Sequence, residues 1–359
     1  MKTTSVCYAL SYYSPKYIRT ETLVKALQAI DGVELHQARN SSKGIARYFE
    51  TFWKLILIRV LHNPQYFILG FRGYEIFWIV RLIALGRPLI YDHMMSPYDS
   101  LINERAVVRR GGWIGKAILL YEKSVLFAAD LVLTDTDIHK QYFHELFELP
   151  LDKIEAIPVG TDETLFQPGS SASQNANSSH FETLFYGSFL PLHGMDVILK
   201  AAFILRDRPI RFTLIGGNRL DLSNFHRTIK QLNLHNVKHI DWVEFEELPM
   251  YIARADIGLG GPFGRTGQAG RVITGKTFQF LAMAKPVIIG QRPGSDDGFE
   301  DKTNCLLAPQ GDETALAGAI LWAFEHRDRL EQIGRRGYEL YKSKYSIERI
   351  SEKIKRIIS

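Results

Sequence analysis

The chain has 359 residues, of which 46% are hydrophobic and 23% charged, with 28 glycines and 14 prolines. This length predicts two domains, and the balanced composition excludes a disordered chain, a collagen and a coiled coil. The net charge of +5 is too small to indicate a nucleic-acid partner. The only two cysteines, Cys7 and Cys305, exclude a disulfide scaffold and a cysteine-based zinc site, and they favour a reducing compartment.

Along the first half, short apolar and β-branched runs alternate with helical patterns, which is typical of a parallel sheet buried on both faces. The N-terminal run is too weak for a signal peptide and reads as the first strand. The predicted strands are 5–10, 33–37, 66–69, 88–91, 131–134 and 154–157. The predicted helices include 20–29, 115–128 and 139–147.

Residues 39–90 combine basic charge with aromatic side chains. They hold eight Lys or Arg side chains, two acidic ones and ten aromatics. This composition is typical of a protein surface that binds anionic lipid. It is equally typical of helices that pack on a core and expose their arginines. The sequence leaves both interpretations open. No apolar run reaches the roughly 18 residues of a transmembrane helix, so we expect a cytoplasmic protein, with a peripheral position on the inner face of the membrane as the lipid alternative.

Small polar residues fill 169–180, which predicts a linker between a first domain, 1–168, and a second, 181–340. The strands predicted in the second half are 183–186, 211–215, 237–240, 257–259, 286–289 and 305–307. The fold class is therefore α/β, with two doubly wound parallel-sheet domains and ligands in the cleft that they face. The C-terminal segment, 341–359, is predicted to be helical and able to pack back on the first domain.

Two strands of the second half run into glycine. Gly187, Ser188 and Gly194 follow one strand, and Gly216 and Gly217 follow the next. Glycine lets the backbone approach a ligand, and free N–H groups at a helix start bind phosphate. The spacing lacks the Gly-x-Gly-x-x-Gly pattern and the acidic residue of a dinucleotide site, so a nicotinamide cofactor is disfavoured. A plain tight turn remains the alternative.

The most informative segment begins at 260–271, where five of twelve residues are glycine, Gly264 among them. Arg271 offers a planar fork and Lys276 a point charge, and both suit a diphosphate. Gln279 lies on the same helical face as Lys276, and its amide can bind a ribose diol. The glycine density and the apolar helix that follows favour a site over a solvated surface loop.

Asp92 and His93 come at the end of the strand predicted at 88–91. A histidine beside a carboxylate can hold a sugar hydroxyl or move a proton, and a structural histidine is the alternative. The other histidines show no metal-ligand spacing along the sequence, and no P-loop or Gly-x-Ser-x-Gly occurs. No metal is therefore predicted.

Several segments share a recognisable pattern: 185–188 with His193 and Gly194, then 214–216 and 255–259, and most strongly 275–288. They resemble the retaining GT-B glycosyltransferases, group 1 or family 4, and 159–168 resembles the end of that family's acceptor domain. The resemblance implies two Rossmann-like domains and transfer of a sugar from a nucleoside diphosphate sugar, without metal and with retention. The acceptor would be a glycan or a lipid-linked molecule in surface polysaccharide or glycolipid synthesis.

Two departures from the family pattern bear on the site. Arg271 and Gln279 stand where the family commonly has a Glu-x₇-Glu pair, and Ser188 and His193 stand where it has Arg and Lys. The resemblance then implies that Arg271 and Lys276 stabilise the leaving diphosphate and that Gln279 holds the ribose.

In the same interpretation, Asp92 and His93 meet the transferred sugar, and the glycine turns bring the backbone close to the nucleotide. Two alternatives remain open: a nucleotide-sugar-binding scaffold that has lost catalysis, and a nucleotide-sugar epimerase of similar fold.

Overall fold

The computed structural model describes residues 3–104, 107–109, 111–169, 180–217, 219–292 and 294–359. The chain divides into two compact units, Met1–Gly160 with Ile347–Ser359, and Thr161–Ser346. The boundary thus precedes the one predicted at residue 168, and the Phe166 ring packs edge-on against Phe245 of the second unit at 5.4 Å. The predicted linker lies outside the described residues over 170–179.

The first unit contains a parallel sheet of six strands in the order β2-β1-β3-β4-β5-β6 among its described residues. The strands are β1 (Thr4–Leu10), β2 (Val33–Arg39), β3 (Tyr66–Leu69), β4 (Leu89–Asp92), β5 (Leu131–Thr134) and β6 (Ile154–Ala156). The helices between them are α1 (Ile18–Gln28), α2 (Ala46–Leu61), α3 (Phe77–Ile83), α4 (Trp113–Ala128) and α5 (Asp137–Phe147).

Helices α2, α3 and α4 contribute to the core of the first unit. Leu55, Phe77, Val80, Val125 and Leu126 are fully buried in one cluster with the central strands. Burial of such side chains stabilises the unit by about 1.5–3 kcal/mol each. None of the described helices is long and apolar enough to cross a membrane.

The second unit contains a parallel sheet of six strands in the order β12-β11-β10-β7-β8-β9 among its described residues. The strands are β7 (Phe181–Gly187), β8 (Ile210–Gly216), β9 (Val237–Ile240), β10 (Ile257–Gly261), β11 (Val287–Gln291) and β12 (Leu306–Pro309). The helices are α6 (Met195–Ile204), α7 (Arg219–Gln231), α8 (Leu248–Arg254), α9 (Gly275–Ala282), α10 (Glu313–Glu325) and α11 (Arg327–Leu340). The predicted α/β class with two parallel sheets is confirmed.

The segment 341–359 is not one element. The π-helical turn Tyr341–Tyr345 stays with the second unit, whereas α12 (Ile347–Ile357) belongs to the first. There α12 packs on α1, and the Ser351 hydroxyl donates to the carbonyl of Ala26 at 2.9 Å. The chain therefore ends on the unit in which it begins.

Candidate functional site

Glycines meet at the carboxyl ends of the central strands of the second sheet. Gly187 of β7 pairs with Gly216 of β8, and the Gly217 N–H donates to the Gly187 carbonyl at 2.9 Å. Gly216 and Gly217 have φ values of +101° and +105°, which other residues rarely adopt. A Cβ on Gly216 would lie 2.3 Å from the Gly187 carbonyl oxygen. The two strand ends therefore close on each other only with glycine at these positions.

The loops after β7 and β10 are in close backbone contact at two further glycines. The Gly264 N–H donates to the Leu192 carbonyl at 2.9 Å, and a Cβ on Gly264 would lie 2.3 Å from the Pro191 carbonyl oxygen. Gly194 has a φ of +68°, and a Cβ there would lie 2.5 Å from the Phe263 carbonyl carbon. Both glycines are needed for this backbone-to-backbone contact.

The structure specifies which backbone N–H groups at these glycine turns are already occupied. The N–H groups of Gly194, Gly217 and Gly264 already donate to protein carbonyls, so they are not available as direct donors to a phosphate. Their contribution is close approach of the backbone. The first turn of α6, which follows Gly194 and has no side-chain cap, has free N–H groups at the helix start where the sequence predicted phosphate binding.

Lys276 and His193 converge on Gly187. A Cβ on Gly187 would lie 3.3 Å from His193 Cε1 and 3.6 Å from Lys276 Cε. Lys276 is 7% exposed and His193 9%. The Lys276 ammonium lies 4.8 Å from the centre of the Phe185 ring, and within the described part of the chain it has no hydrogen-bond or ion-pair partner. His193 Nδ1 has no hydrogen-bond partner there either.

The electrostatics of this pair follow from its burial. Burial lowers the pKa of Lys276 to about 7, because apolar surroundings disfavour the ammonium. Burial, and then the charge of Lys276, lower the pKa of His193 well below its ordinary value. A bound anion would supply the counter-charge that Lys276 lacks and an acceptor for a proton on His193. The arrangement can therefore bind a phosphate-like group.

The remaining predicted donor residues lie on or near α9. Gln279 is 3% exposed, and its Oε1 accepts a hydrogen bond from the Tyr186 hydroxyl at 2.6 Å, which leaves the amide N–H groups for a ribose. Arg271 is half-buried in the turn before α9, and a Cβ on Gly267 would lie 3.0 Å from its Nη1. Ser188 is exposed. A contact of these side chains with a nucleotide stays a prediction.

In the first unit, Asp92 has a different role from the predicted one. Asp92 is 0% exposed, and the Arg19 guanidinium donates to both of its carboxylate oxygens at 2.9–3.1 Å. The same guanidinium donates to the carbonyls of Thr134, Ile157 and Pro158 at the ends of β5 and β6. This corrects the assignment of Asp92 as a sugar contact, since its carboxylate neutralises a buried arginine that joins three strand ends.

His93 is also held inside the first unit. It is 1% exposed, and its Nε2–H donates to Glu122 Oε1 at 2.7 Å, while the other oxygen of Glu122 accepts from the Tyr98 N–H at 2.9 Å. This geometry favours the structural alternative over a sugar contact. Sequence reasoning missed both Arg19 and Glu122. The one available signal was that a buried carboxylate or imidazole needs a partner.

Known proteins can now be compared with this arrangement. Residues 180–326 match the family described as glycosyl transferases group 1. A stretch of 104 residues is 30% identical to D-inositol 3-phosphate glycosyltransferase of Nocardia farcinica and covers 27% of this chain and 23% of that protein. Mannosylfructose-phosphate synthase of Agrobacterium fabrum is 21% identical over 67% of this chain and 55% of its own length. The chain thus spans less than two thirds of the length of these two curated relatives.

The solved structure of Anabaena HepE in complex with UDP and glucose aligns over 99% of both chains, with a TM-score of 0.74 and 15% sequence identity. Likeness at this identity shows the fold alone. That fold is of the GT-B type, with two Rossmann-like α/β units, as the sequence predicted. The family match covers the unit that holds Gly187, His193 and Lys276.

Proposed function

We propose that this protein is a glycosyltransferase of the hexosyltransferase type. It moves a sugar from a nucleoside diphosphate sugar to a glycan or lipid-linked acceptor, with retention of configuration, in the synthesis of a surface polysaccharide or glycolipid. The observation that carries the proposal is Lys276, a buried ammonium without a counter-charge among the described residues, beside His193 and Gly187. The family match and the UDP bound by HepE support a nucleoside diphosphate as the missing anion.

In this proposal Lys276 stabilises the leaving group. Negative charge develops on the β-phosphate oxygen as the glycosidic bond of the donor breaks, and an ammonium in a site of low dielectric stabilises that charge strongly. Neutral His193 donates one ring N–H to the same diphosphate. Arg271 adds a second cation, and the Gln279 amide N–H groups hold the ribose. No metal is needed for this stabilisation, because cationic side chains provide it.

The proposal of a lipid-linked acceptor is supported by the exposed faces of α2, α3 and α4. Only Thr51 and Leu55 of the 16 residues of α2 are buried, so packing on the core explains a minority of its apolar side chains. The exposed large apolar side chains of this surface include Phe49, Trp53, Val60, Leu61, Leu82, Leu85, Trp113 and Leu120. They are named here the outer helix face.

Contacts with the turn before α3 connect the helices of the outer helix face, which carries basic residues. Arg47 of α2 forms an ion pair with Glu75 at 2.6 Å, in the turn before α3, and the Tyr121 hydroxyl of α4 donates to the carbonyl of Tyr74 in the same turn at 2.7 Å. Arg59, Arg81, Lys116 and Lys123 lie on these helices. We propose that this face rests on anionic lipid at the inner face of the membrane, where a lipid-linked acceptor would be reached.

The donor site is tested by thermal shift of the full chain with UDP, GDP, TDP and CDP. A ligand at about 100 times its dissociation constant stabilises by about 2.7 kcal/mol, so one nucleoside diphosphate should raise the melting temperature selectively. Lys276→Met should remove this shift. Lys285→Met is the matched control, because Lys285 is a half-buried lysine whose ammonium already donates to the carbonyls of Ala253 and Ala255.

Turnover separates the proposed activity from its alternatives. A glycosyltransferase releases nucleoside diphosphate in the presence of an acceptor and forms a glycosylated product. Binding without turnover across an acceptor panel would favour the scaffold, and conversion of the donor without an acceptor would favour the epimerase.

The lipid surface is tested by flotation with vesicles of phosphatidylcholine and phosphatidylglycerol. Wild type should float with these vesicles, and replacement of Phe49 and Trp53 by serine should abolish flotation. Ile204→Ser, which removes an exposed apolar side chain from the second unit, is the control. Absence of wild-type protein from the vesicle fraction would refute lipid binding and leave the donor site untouched.

A further inference from the structure

Two histidines and an aspartate meet beside the strand ends of the second sheet. His226 lies on α7, His239 on β9, and Asp241 directly follows β9. His226 Nε2 is 3.0 Å from His239 Nδ1, and Asp241 Oδ1 is 3.3 Å from the same nitrogen. All three ligand atoms lie within 4.8 Å of one another. Sequence spacing did not reveal this cluster, because its members come from different elements.

The tautomer of His239 is fixed by its second nitrogen. His239 Nε2 lies 2.8 Å from the Gly216 carbonyl oxygen, which can only accept, so Nε2 carries a proton. Nδ1 of the neutral ring then presents a lone pair to His226 and to the Asp241 carboxylate. The rings of Phe225 and Phe189, at 4.8 and 6.0 Å between centres, hold the imidazole in this orientation. This lone pair lies 3.3 Å from the Asp241 carboxylate, so one cation can be bound by both groups.

Two of the three separations between the ligand atoms fit a tetrahedral metal ion, and the third is below 4.8 Å. Zinc binds imidazole nitrogen at about 2.0–2.1 Å and carboxylate oxygen at about 2.0–2.2 Å, so two ligand atoms on one ion lie roughly 3.3–3.5 Å apart. The observed separations of 3.0 and 3.3 Å are close to this value. A metal-bound histidine usually donates its other ring N–H to a carbonyl or carboxylate, and His239 makes this bond to Gly216.

We propose that His226, His239 and Asp241 bind a divalent transition-metal ion of the zinc class, with water in the remaining position. The inference does not rest on the proposed transfer reaction, and the ion takes no part in it. It would anchor the imidazole that holds the Gly216 carbonyl, next to the Gly217 N–H that donates to Gly187. A bound ion would therefore stabilise the turn that contains Gly216 and Gly217.

A second group, Glu34, His36 and His62 in the first unit, serves as an internal control. Its three ligand atoms are also within 4.8 Å of one another. The rings of His36 and His62 are stacked at 4.0 Å with 26° between their planes. Imidazole lone pairs lie in the ring plane, so near-parallel stacked rings cannot both point at one ion without rotating. We expect this group to leave Zn²⁺ unbound.

The experiment is calorimetric titration of the EDTA-stripped, dialysed full chain with Zn²⁺ alone. Wild type should show one saturable site. His226→Ala should weaken it by at least about tenfold, and the control His62→Ala should leave it unchanged. His226 is exposed, and circular dichroism verifies that the variant folds. Wild type without saturable binding, an affinity that His226→Ala leaves unchanged, or loss of the site in His62→Ala would each overturn the proposal.

A second measurement identifies the ligand atoms. Long-range proton–nitrogen spectra of the histidine rings should show Zn²⁺ on His226 Nε2 and on His239 Nδ1, with the proton retained on His239 Nε2. Metal on His239 Nε2 would contradict the bond to Gly216 and overturn the proposed geometry.

Discussion

The carboxyl ends of the two sheets differ in how their polar side chains are paired. At the first sheet these side chains pair with one another in the protein interior. The pairs are Arg19–Asp92, His93–Glu122 and His139–Asp135. At the second sheet, Lys276 and His193 are also buried, at 7% and 9% exposed. His193 Nδ1 has no hydrogen-bond partner among the described residues, and the Lys276 ammonium has only the face of the Phe185 ring.

Because both sheets are parallel and place polar residues at the carboxyl ends of their strands, the position of a polar residue at a strand end does not decide its role. A buried pair that is complete within the protein stabilises the fold, and removal of one member leaves an unpaired charge. A buried ammonium without a partner destabilises the unliganded protein, and an anionic ligand provides the missing counter-charge.

The largest effect is expected where a pair is broken. Asp92→Ala should destabilise the first unit by about 3–5 kcal/mol, because Arg19 keeps its charge in a buried site without a carboxylate. Chemical unfolding measures the loss. Asp31→Ala, an exposed position of the same unit, should change stability by less than about 0.5 kcal/mol. A loss for Asp92→Ala as small as that of the control would show that the pair is not structural.

Lys276→Met should have the opposite effect: it should reduce turnover without reducing stability. Turnover should fall about 10²–10³-fold, as when one stabilising donor of a transition state is removed. Stability should be unchanged or higher, because an apolar side chain replaces an unpaired buried ammonium. Steady-state kinetics and chemical unfolding test both parts. Full turnover would refute the donor site, and a stability loss like that of Asp92→Ala would refute the contrast between the two sheets.

Gly264→Ala tests how tightly the loops around the donor site are joined. The new methyl group would lie 2.3 Å from the Pro191 carbonyl oxygen, so the loops must move apart, at a cost of about 1–3 kcal/mol. Gly270→Ala in the same segment is the control, because its methyl group would have no neighbour closer than 3.5 Å. Thermal unfolding compares the two. Equal melting temperatures for Gly264→Ala and Gly270→Ala would mean that the two loops can move apart at little cost in free energy.

The sequence predicted the positions of the strands well and the buried side-chain pairs poorly, for physical reasons. Strands buried on both faces are continuous apolar runs, so all twelve were predicted to within two residues at each end. The pairing of Asp92 with Arg19 joins positions 73 residues apart and depends on tertiary packing, which one sequence does not display. Lys276 was predicted from its glycine-rich loop and the family resemblance, whereas its lack of a partner is visible only in the structure.

The same limit applies to the outer helix face. Composition placed basic and aromatic residues together in 39–90 but could not separate buried from exposed positions. The structure does so, because Leu55 is fully buried while Trp53, two positions earlier, is 64% exposed.

The effect most specific to Lys276 is its pH dependence. The pKa of Lys276 is about 7 in the folded protein and has the ordinary value of 10.5 in the unfolded chain. Between these values the unfolded chain binds more protons, so the stability of wild type relative to Lys276→Met should rise as pH increases from 7 to 10.5. Affinity for the nucleoside diphosphate should fall over the same range, by up to about tenfold per pH unit, because binding must restore the proton. Lys276→Arg should flatten the affinity profile, since arginine stays protonated throughout. A wild-type profile as flat as that of the arginine variant would place the diphosphate away from Lys276.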